Sequence, residues 1–374
     1  MIELTTDKSK IQCLAEFSAV AHYLLPFLKG TTKVISNIEA KVGLLKWYDH
    51  FIPITINTDE VENSYVCSPY SAYIPYALQE LTQLDSRILK WVCRKIFPSF
   101  GRYFKSREMD KNLHINNWML STNLYPKSLN LSEASNFIEY LTSSFPQHAI
   151  IFRSLNFHSN QSLMSNLEDS GFILIPSRQV YFNDLVLFDY RKKVDVKRDF
   201  KLLNNSPYQL IGQGDLFGEV ERIVDLYNQL YINKYSKLNP QFTKKLLVNM
   251  MNNPYFCFQG LRSSTGTLEA VGGYFQVDDT VTMPILGYDM TKPVSDGLYR
   301  QIVVSAMKRA LDNNLIINAS SGAANFKRLR GGTPFIEYSA VYVKHLDKPR
   351  QNMWYLLRHI LNKFAVPMMK KYKL

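Results

Sequence analysis

Hydrophobic positions fall into two successions of the same kind. Each has alternating runs that suit strands, then a run at helical spacing, then a strand, a short helix and a longer strand. In the first succession, residues 32–57 alternate through Val34, Ile35, Val42, Leu44, Phe51 and Ile54, as in a hairpin. Asn130 and Glu133 form a capping box ahead of Phe137, Tyr140 and Leu141, which share a helical face. Residues 149–152 then predict a strand, 163–169 a short helix stopped at Gly171, and 172–188 a long strand region. In the second succession, residues 255–288 hold three strand candidates, with turns at 263–266 and at Asp278-Asp279. Leu298, Ile302, Ala306 and Ala310 run at spacing four, with Val303, Met307 and Leu311 beside them. Residues 315–318 and 335–344 read as strands around a connector at 326–329, with stops at Gly331 and Gly332.

The echo predicts an α/β (α+β) chain of two related domains, each a mixed, mostly antiparallel sheet flanked by helices and finished by strand–helix–strand. Chance similarity between any two α/β segments is the alternative. The expected boundaries are 1–190 and 208–374, joined by a linker at 191–207. Residues 189–207 are charged, contain Asn204-Asn205-Ser206-Pro207 and show little apolar periodicity. Asp215 reads as the N-cap of a helix running through Val220, Ile223, Val224, Tyr227, Leu230 and Tyr231. Trp354, Leu357, Leu361, Phe364 and Met368 predict a final amphipathic helix. Its flank of Lys363, Lys370, Lys371 and Lys373 would suit an anionic membrane surface, although a packed C-terminal helix is the simpler reading.

A length of 374 residues agrees with two domains. The net charge of +12 favours an anionic partner: a nucleotide-bearing cofactor, an acidic carrier protein or RNA. The cations are dispersed, with no arginine-rich arm, so DNA is not an expected partner. Four cysteines lie far apart, without a CxxC pair, and suggest neither a disulfide framework nor a metal site. Residues 13–28 contain Glu16, His22 and Pro26 and read as an amphipathic helix rather than a signal peptide. No apolar run is long enough to span a bilayer. A cytoplasmic enzyme or binding protein is expected.

The sequence lacks GxxxxGK[ST], HExxH, GxSxG and a GxGxxG after a strand, so the classes that need them fall away. What remains is chemistry needing an anion cradle, a cleft and a general base. Residues 320–338 place Lys327, Arg328 and Arg330 on a connector between strands, where guanidinium groups pair with phosphate or carboxylate; a solvated basic turn is the alternative. Asp289 and Glu337 are the candidate bases, although a structural carboxylate paired with Lys or Arg is the simpler reading of each. Tyr288 and Tyr338 are candidate proton donors to a leaving group. Gly297 and Arg300 open a helix whose free N–H groups suit a pyrophosphate. His345 and Cys257 read as packing residues.

The motifs Gly272-Gly273-Tyr274, Gly287-Tyr288-Asp289, Gly297-Leu298-Tyr299-Arg300, Ser320-Ser321-Gly322, Phe326-Lys327-Arg328 and Glu337-Tyr338 resemble those of the GNAT acyltransferase superfamily. The doubled layout resembles its tandem branch, which includes the Fem peptidyltransferases and biosynthetic N-acyltransferases. Residues 63–69 and 177–181 also look like segments of such proteins. The superfamily's Q/R-x-x-G-x-G/A cofactor signature is replaced by residues 292–297, with one glycine. The resemblance implies transfer of an acyl or aminoacyl group onto an amine acceptor, in natural-product or cell-envelope biosynthesis. The donor would be acyl-CoA, an acyl-carrier protein or aminoacyl-tRNA, the altered signature fitting a larger carrier. No tightly bound cofactor and no metal are implied. Residues 91–107 read either as a docking surface for the donor's carrier or as a core helix with a wet basic face. A catalytically silent module that binds an anionic ligand in the same cleft is the alternative reading.

Overall fold

The computed structural model describes residues 2–58, 60, 63–81, 87–129, 131 and 134–372. The first half runs β1 Ile2–Thr5, α1 Lys8–Leu14, α2 Ala19–Leu24, β2 Lys41–Trp47 and β3 His50–Asn57. It continues through α3 Pro69–Ser71, α4 Ala77–Leu81, α5 Arg87–Ser106, β4 Asn112–Ile115, α6 Ala134–Ser144, β5 Ala149–Asn156, α7 Gln161–Asp169 and β6 Ile173–Asn183. The second half begins with α8 Val194–Asn204, then β7 Gln209–Gly212, α9 Val220–Tyr227, α10 Lys244–Met251, β8 Phe256–Arg262, β9 Leu268–Val277 and β10 Thr280–Tyr288. It ends with α11 Leu298–Asp312, β11 Ile316–Asn318, α12 Ala324–Leu329, β12 Thr333–Tyr342, α13 Lys348–Ile360 and α14 Val366–Tyr372. From β1 to β6 and from β7 to β12 the order of elements is the same once α3–α5, inserted in the first half, are set aside.

The two expected sheets are in fact one. Its strand order is β1-β2-β3-β4-β5-β12-β6-β11-β10-β9-β8-β7, which places a pseudo-twofold axis between β12 and β6. Each half hands its last strand to the other: β12 inserts between β5 and β6, and β6 pairs with β11. Both strands thereby gain a partner on each edge, which removes the exposed ladders that two separate sheets would leave. Among the described residues only β4–β5 and β10–β11 are parallel pairs.

The core also crosses between the halves. Tyr23 and Trp118 of the first half meet Phe256 and Phe275 of the second, with Tyr23–Phe256 rings at 5.6 Å and Trp118–Phe275 at 4.8 Å. Gly287 allows a further close approach, because a Cβ there would lie 2.4 Å from the Leu226 carbonyl carbon of α9.

Several expectations need correction. Residues 191–207 are no plain linker, since they contain α8, whose Val196, Phe200 and Leu203 form a narrow apolar stripe against α11. Its four intervening charges hid that stripe. Asp215 caps no α-helix; it lies in a 3₁₀ segment, Gln213–Glu219, and α9 starts at Val220. Val34 and Ile35 are buried core residues outside the named strands, and Ile35 makes only an isolated bridge to Phe242. In the last helix Met369, rather than Met368, is buried. The capping pair Asn130 and Glu133 and the terminal Lys373 lie outside the described residues. Among the described residues no helix is long and apolar enough to cross a membrane.

Candidate functional site

β10 and β11 pair only from Thr280↔Ile316 to Thr282↔Asn318. Beyond that β11 ends while β10 continues to Tyr288, so the β11-facing edge of β10 loses its strand neighbour. A register shift between Thr282 and Ile285, beside Pro284, bends β10 at the same point. The wedge holds a cavity of about 190 Å³. Thr282, Met283 and Leu286 form one wall, Asn318 to Gly322 the other, and Tyr299, Val303, Ala306 and Met307 of α11 close it over. The first half contributes Tyr65, Tyr76, Glu80, Ser121 and Arg178.

Two π-helical stretches aim tyrosines at this space. Ala72–Tyr76, which contains Pro75, presents Tyr76, and Asn228–Tyr235, which continues α9, presents Tyr231. Such wide turns redirect side chains and recur at functional sites. After β11 the chain passes through Ser320, Gly322 and Ala323, all with positive φ, before α12 begins. This sharp reversal turns Lys327 back toward the loop. Its Nζ donates to the carbonyls of Ser320 at 3.1 Å and Ser321 at 2.7 Å. Burial, reinforced by the nearby Arg178 charge, pushes the Lys327 pKa down to about 7.

Arg178 of β6 also lines the cavity, and its donors are occupied. Nε and Nη2 donate to Glu337 at 2.8 and 3.3 Å, Nη1 to Ser321 Oγ at 3.2 Å, and Nη2 also to Thr122 Oγ1 at 3.0 Å. Arg330 is held similarly. Its Nε donates to Asp199 at 2.6 Å, and its guanidinium stacks on Phe326 at 3.4 Å. Asp199 comes from α8 and also receives Nε of Arg300 at 2.6 Å. The stretch expected to be a linker therefore supplies the acid that orders two of the predicted cations.

Of the residues singled out from sequence, Lys327 and Arg330 line the cavity. Glu337 stands behind Arg178 as its counter-ion and is 2% exposed. Asp289 is not among the residues lining the cavity. There, burial works to raise the Asp289 pKa, but hydrogen bonds from Thr291 and the ion pair with Arg222 at 2.6 Å outweigh it and hold the carboxyl below the ordinary range. Tyr288 packs on Tyr299 with ring centroids 5.9 Å apart. Gly297 has a φ of 63°, donates its N–H to Val294, and has Leu202 of α8 against it, so that helix end is covered. Arg300 faces Asp199, and Arg328 reaches Asn325 at 3.4 Å, away from the cavity. Tyr338 sits against Phe157, and His345 bonds the His148 carbonyl. Cys257 lies in β8, partly buried beside the α11 cluster. Among the described residues no group of acids, histidines and cysteines is arranged to hold a metal.

Sequence reasoning missed Tyr65, Tyr76, Glu80, Tyr231 and Asp199. In the sequence, residues 63–69 and 177–181 stand out only as family-like segments, yet Tyr65 and Arg178 within them reach the cavity. Pro75 inside an aromatic helix was the one local cue for Tyr76.

No protein-family model and no curated protein sequence matches the chain. Among solved structures, FemX is 7% identical over 95% of this chain and 100% of its own, with a TM-score of 0.50. A conserved protein of unknown function from Bacteroides thetaiotaomicron VPI-5482 is 10% identical over 92% of this chain and 100% of its own, also with a TM-score of 0.50. L-PGS from Bacillus licheniformis is 14% identical over 60% of this chain and 76% of its own, with a TM-score of 0.43. At such identities the likeness is one of fold. The chain shares the fold of FemX, with a large, mostly antiparallel sheet flanked by helices.

Proposed function

We propose that the chain transfers an acyl or aminoacyl group from an activated carrier onto an amine, in the cavity between β10 and β11. The observation that carries this reading is the parted strand pair with Lys327 inside it. An extended donor arm would lie along the free edge of β10, where backbone groups lack a strand partner, and its carbonyl would reach the bend at Thr282. The acceptor nitrogen would attack that carbonyl. The C–N bond forms, the donor's C–S or C–O bond breaks, and the proton shed by nitrogen passes to Lys327 and on to the departing thiolate or alkoxide. A lysine with a pKa near 7 is suited to this task at neutral pH. Asp289 and Glu337 are then structural acids. Arg330 would face the donor's anionic portion, and Arg328 and Arg300 would not.

A second reading, a silent module that binds an anionic ligand, draws support from the ion pairs that occupy Asp289 and Glu337. One experiment separates the two. Thermal unfolding is followed with CoA, acetyl-CoA, a long-chain acyl-CoA and an aminoacyl-tRNA, and any stabilising donor is then offered amines in single turnover. A ligand at about 100 times its Kd stabilises by roughly 2.7 kcal/mol, a visible shift. Transfer that is lost in Lys327→Met while donor binding persists supports the enzyme. Binding without transfer to any amine supports the silent module.

A further inference from the structure

The turn after β6 directs its apolar side chains outward. Leu185, Leu187 and Phe188 are each 40% exposed and Val186 is 92% exposed, so four successive large hydrophobic residues meet solvent at one tip. Single apolar residues on a surface are ordinary, whereas a contiguous run of four marks a contact surface. The tip stands on a hydrogen-bonded base. The Asp184 carboxylate, itself buried, accepts the Val186 N–H at 2.8 Å, and the Asp184 carbonyl accepts the Phe188 N–H at 3.0 Å, which closes the turn. His158 Nε2 lies 3.1 Å from the same carboxylate. On the far side Tyr190 is buried against Gly331, which has a φ of 80°; a Cβ there would lie 2.6 Å from Tyr190 Cβ and 3.1 Å from the Phe188 ring.

The tip leads into a basic helix face. Lys193 places its Nζ 4.9 Å from the Phe188 ring centroid. In α8, Val194, Lys197, Arg198 and Lys201 follow at i, i+3, i+4 and i+7, all exposed, on the side away from the buried stripe of Val196, Phe200 and Leu203. Among the described residues Lys197, Arg198 and Lys201 form no ion pair. Three nearby acids are already matched, Asp184 with His158, Asp189 with Arg191 at 2.7 Å and Asp199 with Arg300 and Arg330, which leaves Asp195 against those cations. An apolar tip beside such a face is complementary to an anionic lipid surface: the hydrophobic side chains enter the boundary between headgroups and acyl chains while Lys and Arg stay at the phosphates. A second copy would set the same cations against each other. RNA would answer the cations but leave the four apolar side chains in water. We propose that residues 185–188 and the outer face of α8 dock the chain peripherally on an anionic bilayer. None of these residues lines the β10–β11 wedge, so the docking stands whether or not the chain is a transferase.

The test is co-sedimentation of the full chain with vesicles of equal parts phosphatidylglycerol and phosphatidylcholine, and with vesicles of phosphatidylcholine alone. The chain should bind the anionic vesicles and not the neutral ones, and added salt should weaken the binding. Val186→Asp should weaken it about tenfold or more, because a carboxylate at the tip would have to enter the lipid boundary, and Val186→Trp should tighten it severalfold. At a position 92% exposed, both variants should keep the wild-type melting temperature. Reversing Lys197 and Arg198 together to Glu should also weaken binding about tenfold or more. Wild-type protein that ignores anionic vesicles, or Val186→Asp that binds them as the wild type does, overturns the docking. A concentration-dependent dimer that Val186→Asp dissolves, without vesicle binding, gives the tip to a second copy instead. Binding of tRNA that needs Lys197 and Arg198 but not Val186, again without vesicle binding, gives the basic face to RNA and likewise overturns the docking.

Discussion

The two halves build the same wedge, yet one is open and the other is filled. In the first half β4 and β5 pair from Asn112↔Ala149 to Ile115↔Phe152 and then separate, as β10 and β11 do in the second. After β4, however, the chain folds back into the gap. Asn116 accepts the Trp118 indole N–H at 3.0 Å and donates to the Leu124 carbonyl at 2.8 Å, which fixes the reversal. Tyr125, Leu129, Leu131 and Phe137 then pack with Leu113, Ile115 and Phe152. The small cavity beside Tyr125, about 20 Å³, is lined by residues of both halves, among them Asn156 and Asp278, whereas the open wedge between β10 and β11 holds about 190 Å³. The comparison shows one fold carrying a filled and an open copy of the same wedge. The strands part in both, and the difference lies in whether the following segment fills the wedge with side chains or leaves it open.

The largest effect should come from the open wedge. Lys327→Met should reduce turnover by about 10²- to 10⁴-fold, the range expected for loss of a proton acceptor. It should also raise the melting temperature, because an apolar side chain replaces a buried amine. The wild-type rate should rise with pH through about 7, as Lys327 loses its proton. A rate that falls over that interval would assign Lys327 to charge stabilisation instead. The stability sign follows separately. The folded pKa lies below the unfolded one, so the folded state binds fewer protons between about 7 and the ordinary lysine range. The cost of burying Lys327 is therefore full below that window and is relieved as pH rises across it. Urea unfolding at several pH values, compared with Lys327→Met, measures this contribution.

Next in size is the reverse operation on the filled wedge. Phe137→Ala, at a fully buried position, should destabilise by about 3–5 kcal/mol. Because the new hole lies among apolar rings such as Trp47 and Phe152, it should bring no second donor site. Denaturant unfolding and donor stoichiometry check both halves of that statement. The complementary change is Ala306→Phe, which puts a ring into the open cavity from α11. Donor affinity should fall about tenfold or more, with a stability change of about 1–3 kcal/mol at most. Donor binding that survives Ala306→Phe would place the donor elsewhere.

The sequence made the doubled order of elements legible because it rests on local patterns. The alternation of β8–β10, the spacing-four stripe of α11 and the stop at Gly171 are each read within a dozen residues. The strand exchange was not legible, since β6 and β12 carry no mark of which neighbour they take; pairing depends on contacts more than a hundred residues apart. At the site, Lys327 and Arg330 could be found from their basic connector between strands. Asp199 could not, because α8 reads as a charged joint until its three apolar residues meet α11. The tyrosine wall was hidden differently. With 23 tyrosines in the chain, nothing local separates Tyr76 and Tyr231 from the rest, and the π-helical turns that aim them appear only in three dimensions.

Asp289 sharpens the distinction between a motif residue and a site residue, and it should show the smallest effect on activity. By sequence it is a candidate base, at the end of a strand that lines the cleft. In the structure its carboxylate is turned to Arg222 and Thr291 and takes no part in the cavity wall. Asp289→Asn should therefore change turnover by less than about twofold and cost about 1 kcal/mol or less of stability, as for a partly exposed ion pair. The pH dependence has a defined sign. The folded pKa lies below the ordinary carboxylate value, so the ion pair stabilises fully above that value, and the contribution is lost as pH falls through the folded pKa. Acid unfolding of Asp289→Asn should accordingly begin from a lower stability and fall less steeply than wild type, while neutral-pH kinetics stay the same. A loss of turnover comparable to that of Lys327→Met would return the base to Asp289 and require a donor path that runs past the end of β10 instead of into the wedge.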